Sequence, residues 1–176
     1  MRDGLRLVGV ISGSETDLFQ MGPGLRVLEK AHNDGEIIWE GVKTISIHWN
    51  TLEAIEYVRE LGRQGYDAIV IGAGAANHIT GTGDAVLRRT DLNNTTHVIG
   101  VAFESSKTNW SEAAILSITC VPATSVIYDG YAGKDGFTRA CEFAAYGELP
   151  VIELPTVFKK PNFFSREEAI ARAEAN

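Results

Sequence analysis

The sequence predicts a doubly wound parallel α/β sheet: a five-stranded, three-layer sandwich with an extended C-terminal arm. Three observations predict it. Short apolar runs alternate along the chain with segments of helical spacing. Three of the runs open into loops built of Gly, Ser, Ala, Asn or His, as at strand-to-helix connections. After Gly147 the alternation stops, and Pro150, Pro155 and Pro161 break any regular element.

The elements follow in order. Residues 5–11 (LRLVGVI) form a buried first strand. Thr16 or Asp17 would then cap a helix running toward Lys30, interrupted at Gly22-Pro23-Gly24. Asn33-Asp34-Gly35 is a turn, and the later half of 36–47 holds the second strand. Asn50 caps the next helix, with Glu53 three residues on. That helix repeats apolar Leu52, Ile55, Val58 and Leu61 at helical spacing. Residues 68–71 form the third strand, 84–89 lie in a helix, and Asn93-Asn94 turns into a fourth strand at 98–102. A helix over 112–118, a loop at 121–124, a fifth strand at 125–128 and a helix over 136–146 complete the domain. Five such strands suit the flavodoxin-like order 2-1-3-4-5. The chain therefore divides into an α/β domain, 1–147, and a proline-rich arm, 148–176, ending in a short helix from Ser165. The arm's Phe158, Phe163 and Phe164 need a surface to cover, on this domain or on a neighbouring subunit.

Bulk properties narrow the function. The chain has 176 residues, 44% of them hydrophobic, and a net charge of −7. There is no basic block, which argues against nucleic acid as a partner. No apolar run approaches the ~20 residues that span a bilayer, and the N-terminus lacks a secretory pattern, so a cytoplasmic protein without membrane contact is expected. Cys120 and Cys141 have no metal-site spacing and read as buried free thiols. The four histidines lack carboxylates at i+4, and no metal site is expected.

The three loops at strand ends converge on one edge of such a sheet, where these folds bind ligands. The first is Gly13-Ser14-Glu15-Thr16-Asp17, the second Ser46-Ile47-His48-Trp49, and the third runs from Gly72 through Asn77 and His78 to Gly81. His48 can act as a general acid/base near neutral pH; the alternative is a loop histidine satisfied by backbone. His78 can orient a ring, or can simply begin a helix. The first loop can bind phosphate at a helix N-terminus, or be an ordinary capped turn. It carries neither G-x-x-x-x-G-K-[ST] nor G-x-G-x-x-G, so ATPase and dinucleotide fingerprints are absent. Asp17 would repel phosphate and suits a ribose hydroxyl. Trp49 and Trp110 belong either to the core or to a pocket wall.

Together the motifs resemble the N5-carboxyaminoimidazole ribonucleotide mutase / aminoimidazole ribonucleotide carboxylase family of purine biosynthesis. The family's G-S-x-S-D is matched by Gly13 to Asp17, its S-A-H-R by Ser46-Ile47-His48-Trp49, and its G-A-G-G-A-A-H-L-P-G by Gly72 to Gly81. Its S-I-x-Q-M-P is matched by Ser117-Ile118-Thr119-Cys120-Val121-Pro122. All four occur in order and at matching spacing.

The resemblance implies an enzyme that moves a carboxyl group from the exocyclic amine of an aminoimidazole ribonucleotide to ring carbon C4, without metal, biotin, ATP or any other cofactor. It implies His48 as the catalytic acid/base with Ser46 beside it. It implies Ser14 and Thr16 at the phosphate, Asp17 at the ribose, Ala73, Gly74, His78 and Ile79 around the ring and carboxylate, and Gly13 among the substrate-binding residues. It also implies a homo-octamer. Trp49 stands where the family has arginine, and Asn77 and Thr80 replace alanine and proline; Trp49 and Asn77 carry no assigned role. Lys43 and Lys107 are the cations that could meet phosphate instead. Two rival readings stand beside this one. The first is a carboxylase or decarboxylase of the same fold acting on another heteroaromatic substrate, which Trp49 favours. The second is a non-catalytic nucleotide-binding or assembly protein, which the joint presence of His48, Ser46 and Asp17 disfavours.

Overall fold

In the computed structural model, which describes residues 4–107, 109–122 and 124–175, β1 (Arg6–Ser12) lies inside a parallel sheet. On one side it pairs with β4 (Ala68–Ala73), which pairs with β5 (His97–Ala102). On the other side it pairs with β2 (Ile37–Ile38) and β3 (Val42–Thr44). Helices α1 (Gly22–Asn33) and α5 (Gly133–Tyr146) cover one face. Helices α2 (Thr51–Arg63), α3 (His78–Ala85) and α4 (Trp110–Thr119) lie on the other face and at the β5 side.

Period-two alternation sorts the core into two layers. Val8, Val10, Val70, Ile99 and Val101 pack with Leu28, Phe137 and Cys141. Leu7, Ile11, Ile69, Ile71 and Val98 pack with Val58, Leu61 and Leu87 on the opposite face. Strands buried on both faces read as continuous apolar runs, which is why the sequence located β1, β4 and β5 well.

Several expectations are corrected. The second strand is split: β2 and β3 are separate pieces along the same edge of β1, divided at Gly41, whose φ of 144° few other residues adopt. The fifth strand shrinks to an isolated bridge, with Ile127 paired to Ile99. Two backbone hydrogen bonds of 2.9 Å, from Gly100 to the Ile127 carbonyl and from Ile127 to the Val98 carbonyl, join it to β5, and side chains hold it laterally. Asp84 accepts from the Ser125 amide at 2.8 Å and hydroxyl at 2.6 Å, and Arg88 Nε donates to the same hydroxyl at 2.8 Å. Gly22-Pro23 does not interrupt α1 but starts it, because proline's missing N–H costs nothing in a helix's first turn. Ahead of it a 3₁₀ turn, Glu15–Gln20, is capped by Ser14 rather than by Thr16 or Asp17. The helix placed at 84–89 starts earlier, at His78, and its tail, Val86–Thr90, widens into a π turn. Asn50 precedes α2 without a side-chain cap. The buried stripe of α2 is Ala54, Val58 and Leu61, while Leu52 is exposed. Cys141 is buried but Cys120 is exposed, and both are free thiols. Of the loop expected at 121–124, Ala123 lies outside the described residues.

Beyond Gly147 the chain runs without helix or strand to Ser165, where a capping box with Glu168 opens α6 (Arg166–Glu174). His97 ties down the start of this arm, its Nε2 lying 2.6 Å from the Pro150 carbonyl oxygen. Val151, Val157 and Phe163 remain exposed. Among the described residues no helix is long and apolar enough to cross a membrane.

Candidate active site

The carboxyl ends of β1, β3, β4 and β5 open into one cleft of about 490 Å³. Parallel strands end together there, and the loops that leave them form its walls. Gly13, Ser14, Thr16 and Asp17 come from the first loop, Ser46, His48 and Trp49 from the second, Ala73, Gly74 and Ile79 from the third. Sequence reasoning missed Glu104, Ser105 and Ser106 of the fourth wall after β5, together with Phe19 and Gln20; Trp110, left open between core and pocket wall, lines the cleft beside them. The rule used for the first three strands, a polar loop after an apolar run, would have found that wall.

Close packing of backbone sets the floor. Gly13 donates to the Gly72 carbonyl at 2.9 Å, and a Cβ on Gly13 would lie 2.7 Å from that of Ala73. The Gly74 amide donates to Asp17 Oδ2 at 3.2 Å, locking the first loop to the third. Half-burial raises the Asp17 pKa above its ordinary value, and the Gly74 bond offsets part of that rise. Ser14 and Thr16 share a hydroxyl hydrogen bond of 2.8 Å at the start of the 3₁₀ turn. Gln20 joins the first loop to the fourth: its Nε2 donates to the Glu104 carbonyl at 3.0 Å, and the Glu104 amide donates to its Oε1 at 2.9 Å.

His48 lines the cleft, its amide donating to Ser46 Oγ at 3.3 Å. Its Nε2 lies 3.0 Å from Nδ1 of His78, with the rings edge to face. One imidazole donates and the other accepts, so a proton on either is shared with its neighbour. His78 is thus off the cleft wall and reaches it through His48. Asn77 is fully buried and faces away. It donates to the carbonyls of Ile71 in β4 and Val101 in β5, both at 3.0 Å, and its Oδ1 accepts from Thr80. It ties the start of α3 to both strands and caps that helix. Trp49, 88% exposed, stands on the cleft wall, and Trp110 is also on it.

The cleft offers hydroxyls, backbone amides, aromatic faces, one imidazole backed by a second, and the carboxylates of Asp17 and Glu104. None of its lining residues is lysine or arginine. Lys43 lies elsewhere, with its ammonium 5.6 Å from the centre of the Tyr57 ring. Among the described residues no cluster of three or more His, Cys, Asp or Glu side chains could hold a metal ion.

A parallel sheet covered on both faces, with a histidine pair and hydroxyl-bearing loops at its carboxyl edge, defines a flavodoxin-like α/β protein with a cleft of small-molecule size. The AIR carboxylase family model matches residues 7–129, and the chain belongs to that family. It is 31% identical to the N5-carboxyaminoimidazole ribonucleotide mutase of Pyrococcus abyssi over 157 residues, 89% of this chain and 80% of the relative. It is likewise 31% identical over 139 residues to the enzyme of that name from Pseudomonas aeruginosa, 79% of this chain and 77% of the relative. In structure it is similar to PurE of Treponema denticola, with a TM-score of 0.53 at 16% identity over 80% of this chain and 82% of that one.

Proposed function

We propose that this enzyme shifts a carboxyl group on an aminoimidazole ribonucleotide, from N5-carboxyaminoimidazole ribonucleotide to the 4-carboxy isomer, as a cytoplasmic step of purine synthesis. The observation that carries the reading is His48 on the cleft wall, hydrogen-bonded to a second imidazole at 3.0 Å. In this reaction the N–CO₂ bond breaks, the ring carbon C4 attacks the released CO₂, and C4 gives up its proton while the exocyclic nitrogen gains one. His48 takes that proton and returns it, and His78 holds the ring in the tautomer that can do so. Asp17 receives the ribose hydroxyls. Ser14 and Thr16 face the phosphate with Gly13 beside them, and Ala73, Gly74 and Ile79 flank the ring. Assembly as a homo-octamer belongs to the same reading; the exposed Val151, Val157 and Phe163 of the arm support burial against another copy.

The test is direct. Substrate labelled with ¹³C in its carboxyl group is followed by NMR with wild type and His48→Asn. Wild type converts it, and the variant binds but loses about 10²–10⁴-fold in turnover. Lack of conversion by wild type, or full turnover by the variant, removes the reading. The cleft's lack of lysine and arginine favours one second reading, the same chemistry on a heteroaromatic substrate without phosphate.

A further inference from the structure

The cleft wall carries two carboxylates and no cation, a poor setting for a phosphate dianion. Glu104 is partly accounted for: its carboxyl group lies against Gly133, where a Cβ would come within 2.8 Å of Glu104 Cδ. Gly133 is the first residue of α5, and a helix N-terminus favours negative charge. Two ammonium groups flank the mouth. Lys107 stands 3.9 Å from the centre of the Trp110 ring, and Lys134 stands 5.9 Å from that of Phe19. Both aromatic rings line the cleft.

The two lysines are not equivalent. Lys107 directly follows the lining residues 104–106. Its segment is fixed at both ends: Gln20 clamps Glu104 to the first loop through two hydrogen bonds, and Ser111 Oγ accepts from the Ser105 amide at 2.9 Å. Between them Ser105 Oγ accepts from the Lys107 amide at 3.1 Å. Among the described residues no carboxylate lies within ion-pair distance of Lys107. Its ammonium rests on an aromatic face, a contact that is weak at an exposed site and readily exchanged for a phosphate oxygen. Lys134 springs from α5, outside the lining.

We propose that Lys107 is the phosphate-binding, specificity-determining cation of this cleft, and that it moves from the Trp110 face onto the substrate's 5′-phosphate. The inference rests on the ribonucleotide reading above, and its test separates the two. Aminoimidazole ribonucleotide and the corresponding ribonucleoside are titrated calorimetrically into wild type, Lys107→Ala, Lys107→Arg and Lys134→Ala, with carboxyl transfer followed separately by NMR. Lys107→Ala weakens the ribonucleotide about 10- to 100-fold and leaves the ribonucleoside unchanged. Lys107→Arg keeps most of the affinity, and Lys134→Ala changes it less than threefold. Equal loss for both ligands, no loss in Lys107→Ala, a larger loss in Lys134→Ala, or a wild type without preference for the phosphorylated ligand overturns the proposal. Lys107-dependent ribonucleotide binding without carboxyl transfer removes the mutase reading and leaves this assignment standing.

Discussion

Gly13→Ala tests the backbone contact that forms the cleft floor. The added methyl would sit 2.7 Å from Ala73 Cβ, with the Ala73 Cα at 3.6 Å. Carbon atoms pack best at about 3.5–4.0 Å, so nearly 1 Å must come from opening β1 against β4. Neither atom ends a flexible side chain that could rotate away. The hydrogen bond from Gly13 to the Gly72 carbonyl, 2.9 Å in the native fold, crosses the same seam. Overpacking of this kind costs about 1–3 kcal/mol. In urea, where small proteins lose about 1–3 kcal/mol per molar denaturant, a loss near 2 kcal/mol moves the midpoint by about 1 M. Ala73→Gly alone costs about 0.5–1 kcal/mol through backbone entropy. The double variant recovers most of the Gly13→Ala loss, giving a favourable coupling of about 1–2 kcal/mol. A Gly13→Ala midpoint equal to wild type, or a double variant no better than the sum of its parts, would refute this account of the floor.

Two further outcomes follow from buried charge. Asp84→Ala strands the Arg88 guanidinium, 3.1 Å from Asp84 and almost wholly buried, and costs about 3–5 kcal/mol; it also speeds hydrogen exchange at the Ile127 amide, because residues 124–126 lose their lateral anchor. Thermal unfolding and exchange measure both, and a loss below 1 kcal/mol contradicts the pair's structural role. The raised pKa of Asp17 means the folded state binds this proton more readily than the unfolded chain. Its contribution to stability is therefore full below the unfolded pKa and is lost as pH rises through the folded one. Asp17→Asn flattens that part of the stability-against-pH curve and matches or exceeds wild-type stability at neutral pH while weakening substrate; an unchanged pH slope argues against burial as the cause.

The central strands were legible because β1, β4 and β5 are buried on both faces and read as plain apolar runs. The edges were not. At β2 and β3 the break depends on the φ of Gly41, and at Ser125 to Tyr128 a strand-like composition makes a single bridge to β5 and relies on Asp84 and Arg88 for the rest of its anchoring. Periodicity carries no record of either. The first three loops of the site were legible because each couples a strand end to residue types with chemistry. His48, Ser46 and Asp17 line the cleft, while Asn77 is buried and bonds to carbonyls of β4 and β5.

The sequence by itself determined the fold class, the family and the edge of the sheet where the site lies, because apolar runs, loop chemistry and motif order are local properties of the chain. Tertiary structure alone decided the partners. Residues 30 apart became the His48–His78 pair, Gln20 joined loops 84 residues apart, and Lys107 came to rest beside a cleft without lysine or arginine on its wall. Hydrogen bonds and ion contacts act over a few ångströms, and only the packing of helices onto the sheet brings distant segments within that range.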